Sequence, residues 1–181
     1  MYGIRATGGA GIMEVFELPE LIELNAFGGS FEKYIEAVYQ IFKNDFIDTK
    51  PTFQGIRLGL KKYPLVDNKE YTFYHMTHEG NIESERTPDV RRMERIGWPR
   101  PMIDDSEHSY LKVWRNTRRG KGGTKSRILI LHEAEQYLVV LDDRGNYILP
   151  WTAYLIRGRR QLQKHLREYE TYKKAEAAKR T

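Results

Sequence analysis

The chain has 181 residues, 30% charged and 40% hydrophobic, enough for one domain with a real core and an appendage. It carries no cysteine, which excludes disulfides and thiolate metal sites, and no apolar run of the roughly 18 residues that a membrane-spanning helix needs. Its 30 Lys and Arg outnumber 25 Asp and Glu, for a net charge of +5.

The chain opens on MYGIRATGGAGIMEVFEL, which is Gly-rich and lacks the apolar centre of a secretion signal. Residues 1–19 are expected to form a flexible segment, with Met13 as a second candidate start and a reducing cytoplasm as the expected setting. A single α+β domain is expected over 20–157, and a basic helix or tail over 158–181. Leu21–Phe27 reads as a short strand or extended approach, broken by Gly28 and Gly29. Ser30 can cap a helix, and Phe31, Tyr34, Ile35, Val38 and Ile41 or Phe42 recur at helical spacing, so the pattern predicts a helix over Phe31–Lys43. Gly55–Tyr63 alternates like an edge strand, and the aromatic run Glu70–Met76 predicts another strand. A helix over 88–96 follows from Thr87 at the cap, Pro88 at the first helical position, Asp89 in the first turn and Gly97 as a left-handed exit. Trp98–Ile103 is expected to be extended, because each proline biases its predecessor away from helix.

Four apolar, β-branched or aromatic runs come next: Tyr110–Asn116, Ser126–Glu133, Gln136–Asp142 and Asn146–Tyr154. Their short connections predict an antiparallel meander. Pro150 has no amide for the ladder, so the last strand is expected to bend or bulge there, and Thr152 and Tyr154 should share a face. From Arg159 the pattern turns helical, with Leu162, Leu166 and Tyr169 as one stripe. The expected class is α+β, with N-terminal helices packed on a four-stranded antiparallel meander sheet and a basic C-terminal helix.

The charge is unevenly spread. From Arg157 onward nine basic residues stand against three acidic ones, whereas the 156 residues before carry 21 basic and 22 acidic. Lys112–Arg127 holds seven basic residues and no acidic one. Two basic blocks on a near-neutral body fit a polyanionic partner, whose counterions they would release, although basic loops also serve plain solubility. The blocks contain Arg115, Arg118, Arg119, Lys121, Lys125, Arg157, Arg159 and Arg160, the candidate nucleic-acid contacts.

The five histidines, at 75, 78, 108, 132 and 165, form no spacing that reads as a metal motif, and nothing calls for a cofactor. GKGGTKS lacks the spacing and setting of a phosphate-binding loop, and no Gly-x-Ser-x-Gly elbow occurs. What remains suits metal-free RNA cleavage. That reaction needs an acid and a base near neutral pH, cations for the phosphorane and donors that hold attack in line. His75, His78, Lys112, Arg127, Thr152 and Tyr154 are the candidates for these roles. Each has a plainer alternative: a structural His, outward strand cations, a strand Thr, a core Tyr with its hydroxyl at the rim.

At YLVVLDDRGNYILPWTAYLI the chain resembles phage and prophage nuclease-like domains of the barnase/EndoU/colicin/RelE-like group, abbreviated BECR. The stretch from FEKYIEAVYQIFKNDFIDTKPTFQGIRLGLKKYPL through FYHMTHEG and ERIGWPRPMI also looks like phage-related proteins, so the likeness runs from Phe31 to the C-terminal helix. Those domains end a four-stranded antiparallel sheet on a Thr-Ala-Tyr or Ser/Thr-x-Tyr strand, with an earlier His and a basic residue on a middle strand. The matching positions are His75, Lys112 or Arg127, Thr152 and Tyr154. Trp151, directly before Thr152, departs from the pattern. The resemblance implies a metal-independent ribonuclease of phage or mobile-element origin, with RNA as substrate and an antitoxin or immunity protein as a possible partner. A nucleic-acid-binding module without catalysis, and an interaction protein that meets an acidic partner, are the alternatives.

Overall fold

The computed structural model describes residues 15–120 and 123–180. Most of the segment expected to be flexible lies outside them, but residues 15–19 are bound into the domain. Phe16 is buried with its ring edge-on to His108 and His132, and the Pro19 carbonyl accepts from Trp98 Nε1 at 2.8 Å. Leu24–Phe27 forms a 3-10 turn where a strand or extended approach was expected, and Gly28 and Gly29 leave it with positive φ.

Helix α1, Phe31–Lys43, matches its expected bounds. Ser30 Oγ accepts from the Lys33 amide, and Tyr34, Val38 and Phe42 are buried on one face. A π-helical turn, Asn44–Asp48, carries buried Phe46 on into the same core. Strands β1 (Thr52–Phe53) and β2 (Ile56–Arg57) form a minimal hairpin. The edge strand expected through Tyr63 is therefore cut to two residues. Beyond it the Gly59 amide reaches the Ile148 carbonyl at 2.9 Å, and a Cβ at Gly59 would stand only 3.0 Å from the Leu149 side chain.

Glu70–Met76 is not a strand. Tyr71–Thr77 forms helix α2, with all seven residues buried. Helical spacing sends Phe73 and Met76 into the main core, while the Tyr71 and His75 rings meet at a tilt on the other side, a division that strand alternation cannot make. Packing has overruled aromatic β-propensity. Strand β3 (His78–Glu79) pairs with β4 (Thr87–Pro88), so helix α3 begins only at Val90 and runs to Glu94. Asp89, not Thr87, is its cap, accepting from the Arg91 amide at 3.0 Å. Gly97 makes no left-handed exit; it lies where the N-terminal segment crosses, 3.6 Å separating its Cβ position from Pro19. Trp98–Ile103 is likewise not extended. Helix α4, Pro99–Asp104, places both prolines in its first turn, where amides lack intrahelical partners anyway.

The meander is as expected: β5 (Leu111–Gly120), β6 (Gly123–His132), β7 (Tyr137–Asp143) and β8 (Ile148–Leu155), antiparallel and in that order. The β7–β8 register breaks between Val140, opposite Thr152, and Leu141, opposite Pro150, so Trp151 is the extra residue of a bulge. One face of the sheet, with Val139 and Leu141, joins the core built on α1, α3 and α4. The other, with Trp114, Leu129, Leu138 and Val140, is covered by Leu162, Leu166, Tyr169 and Tyr172 of helix α5, Arg159–Ala178. The protein is thus α+β, with the sheet between two helical layers and α2 packed against β8.

Phe42 is fully buried and stacked on Phe46. Phe42→Ala is expected to destabilise the fold by about 3–5 kcal/mol in urea unfolding, whereas exposed Tyr147→Ala should stay within about 0.5 kcal/mol.

Candidate active site

The bulge decides where the β8 side chains go. Because Pro150 offers no amide, the ladder opens there and the Trp151 indole turns to meet both α2 and β6. Its ring lies 4.7 Å from the His75 ring and 4.4 Å from the Arg127 guanidinium. The His75 ring in turn meets the Tyr71 ring at a tilt, 4.6 Å between centroids, and Lys61 Nζ caps Tyr71 at 3.8 Å. A row results, Lys61–Tyr71–His75–Trp151–Arg127, with a cation at either end.

Glu83, half exposed in the short turn Glu83–Glu85, meets His75 Nε2 at 2.9 Å. His75 is itself only 4% exposed. Burial first, and Arg86 second, hold its pKa below the ordinary 6.5, while Glu83 pulls the other way. The ring is therefore neutral at neutral pH. With Glu83 ionised, Nε2 is the donor and Nδ1 carries the lone pair.

Beside this pair Thr152 Oγ1 donates to the His75 carbonyl at 3.2 Å and accepts from Arg92 at 2.8 Å. Its single proton is thereby committed, so Thr152 holds Arg92 and α2 in place rather than presenting a donor to phosphate. Arg92 also lies 5.2 Å from the Tyr154 ring and 3.5 Å from Asp89. Thr152 and Tyr154 do share a face, and with Lys125, Arg127, Trp151 and His165 they line a cavity of about 390 Å³ between the sheet and α5. His75 does not line it; its ring reaches the cavity only through Trp151.

The other expected site residues are dispersed. His78 stands apart from the cavity, its Nδ1 3.0 Å from Thr77 Oγ1 and its ring against Tyr74 at a tilt, with burial first lowering its pKa. Lys112 is paired with Glu133 at 2.8 Å near Tyr169, four residues along the sheet from the level of Arg127, and does not line the cavity. Arg115 is bound to Asp143. Arg157 bridges Glu79 at 3.2 Å and Asp89 at 3.0 Å. Arg119, Lys125, Arg159 and Arg160 are exposed, while Lys121 and the Arg118 side chain lie outside the described residues. Glu83 escapes sequence reasoning, its only signal being an acidic residue eight positions after His75; Arg92 reads there only as one cation of the Arg-rich helix 88–96 that could meet an acidic partner, and Trp151 as bulk that could stack on a base or fill the core. No group of three or more His, Asp or Glu among the described residues is arranged to hold a metal ion.

No known protein family, curated protein or solved structure matches the chain.

The pKa values of His75, His78 and His132 are all held down, chiefly by burial. The folded state therefore prefers them neutral and the unfolded chain binds protons first. Their contribution is complete above the unfolded value of 6.5 and drains as pH falls through the depressed folded values. The urea midpoint should accordingly be lower at pH 5 than at pH 7.5, and the drop should shrink in His75→Gln.

Proposed function

We propose that the protein is a metal-independent endoribonuclease of the BECR type, of phage or mobile-element origin. The observation that carries this reading is the hydrogen-bonded Glu83–His75 pair set beside Trp151 and Arg127. RNA that displaces the Trp151 indole from the buried His75 ring lets the neutral imidazole take the proton of a ribose 2′-hydroxyl at Nδ1. The 2′-oxygen then attacks phosphorus in line and expels the 5′-oxygen on the far side, which takes a proton from water, while the imidazolium, stabilised by Glu83, returns its proton to solvent, so the protons balance. Arg127, with exposed Lys125 on the same strand, supplies positive charge for the phosphorane. Arg92 is fixed by Thr152 and Tyr154 and keeps α2 registered on β8. The basic residues of the β5–β6 hairpin and of α5 provide sequence-independent attraction for the RNA backbone.

Incubation of the protein with total cellular RNA in EDTA tests the proposal. Cleavage is expected, and His75→Ala should slow it about 10²–10⁴-fold while circular dichroism and salt-sensitive RNA binding stay close to the unaltered protein. Salt-sensitive binding with no cleavage by either protein would instead establish a binding module.

A further inference from the structure

The β5 edge of the sheet carries an unfinished ladder. In β7 the Gln136 carbonyl accepts from the Ile156 amide and the Arg144 amide donates to the Tyr147 carbonyl, so the even-numbered residues of β7 turn their backbone polar groups toward β8. Odd-numbered ones then face β6, and the register carries the alternation outward. Strand β6 turns Ser126, Ile128 and Ile130 to β7, and Arg127, Leu129 and Leu131 to β5, where Asn116, Trp114 and Lys112 stand opposite. Val113, Arg115 and Thr117 therefore point their amides and carbonyls away from the sheet. Leu111, the first outward residue, spends its amide on the His108 carbonyl at 2.9 Å, but no hydrogen bond reaches the backbone of the next three among the described residues. Two adjoining hollows flank this edge. One, of about 520 Å³, is lined by Arg115 and Thr117 of β5 and by Lys164, Arg167 and Thr171 of α5. The other, of about 430 Å³, shares Trp114 and Tyr172 with it and extends to Val113, Phe53 and Gln54 on the strand side and to Lys173 and Arg180 on the helix side. Lys164, Arg167, Lys173 and Arg180 are exposed and form no ion pair among the described residues. The acids on the same wall are already engaged: Glu168 accepts from Asn116 Nδ2 at 3.1 Å, and Glu176 pairs with Lys179 at 2.6 Å.

We propose that the β5 edge from Val113 to Thr117 is a docking site for an extended, acidic segment of a partner protein, which adds a strand to the sheet. The proposal does not rest on the ribonuclease reading, because His75 belongs to α2, packed against β8 at the opposite edge of the sheet. A peptide laid along β5 matches its outward donors and acceptors in turn, whereas phosphates are acceptors only and would face the outward carbonyls lone pair to lone pair. Successive side chains of the added strand point alternately toward α5 and toward the Phe53 and Gln54 side. The first set meets the α5 cations, which calls for Asp or Glu at every second position. The second set meets Val113 and Phe53, which suits apolar residues. A second copy of this chain is the poorer occupant, since pairing β5 with itself would bring Lys112, Arg115 and Arg119 of both strands along one seam.

Residue-resolved amide exchange tests the proposal, measured by NMR on the full chain with and without a capped heptapeptide of alternating Glu and Val. The amides of Val113, Arg115 and Thr117 are expected to exchange readily in the chain alone and to gain about tenfold or more protection with the peptide, while those of Trp114 and Asn116 stay protected throughout. A heptapeptide of alternating Lys and Val should give no such protection. Thr117→Pro removes an outward amide without touching the β5–β6 ladder and should weaken binding about tenfold. Lys164→Glu combined with Arg167→Glu, both on the exposed side of α5, should weaken it by a similar factor of about ten, and this variant decides the matter if Thr117→Pro fails to fold. No binding of the acidic peptide, binding that leaves the odd-numbered amides unprotected, or unchanged binding by the charge-reversed chain overturns the proposal. So does protection of those amides in the concentrated chain alone, which would establish self-pairing, or protection by oligoadenylate but not by the peptide, which would establish an RNA groove.

Discussion

A missing hydrogen-bond donor organises this protein. Pro150 cannot complete the ladder between β7 and β8, and the strand absorbs the defect by looping out Trp151. Were β8 regular, its indole would alternate onto one face and make one set of contacts. As the extra residue of a bulge, it lies between the imidazole of α2 and the guanidinium of β6. The row of tilted rings and cations, the contact of α2 with β8, and the wall of the α5-side cavity all depend on that displacement.

Arg92 is the second constraint. It reaches from α3 to the His75 carbonyl, to the Thr152 hydroxyl and over the Tyr154 ring, with Asp89 as counter-charge. Burial lowers even this guanidinium's pKa from its ordinary value, and Asp89 opposes the shift. A long cation buried among fixed acceptors locks relative positions more effectively than it adds stability, because desolvation consumes most of the attraction. Three elements distant in sequence are thereby held in one arrangement beside Glu83 and His75.

How much of this was legible in the sequence depends on whether local pattern and tertiary packing agree. Phe31–Lys43 could be read because its apolar period, its Ser cap and its buried face coincide. The four meander strands could be read because β-rich runs and short turns agree with their pairing. Tyr71–Thr77 could not, since a fully buried helix has no polar face to show the period, and its aromatics carry strand propensity. Pro99–Asp104 could not, since prolines in a first helical turn resemble the same residues in an extended segment. At the site, residue type pointed to His75, Arg127, Thr152 and Tyr154, and the bulge at Pro150 was foreseeable from its chemistry. The partners were not. Glu83 meets His75 only because the chain folds back after β3. Arg92 meets Thr152 across 60 positions, and Glu168 meets Asn116 across 52.

The hairpin of β5 and β6 outruns its neighbours. Its pairing continues through Arg118–Lys125, Arg119–Thr124 and Gly120–Gly123, while β7 joins β6 only from Ser126. Three rungs, about 10 Å at the usual rise per residue, therefore project past the four-stranded body as a two-stranded arm. Residues on such an arm keep the backbone spacing that the ladder dictates, so the arm has less conformational freedom to lose on meeting any partner than an unpaired loop has. The arm is continuous with the strands that bear Arg127 and Asn116, so its direction is set by the sheet.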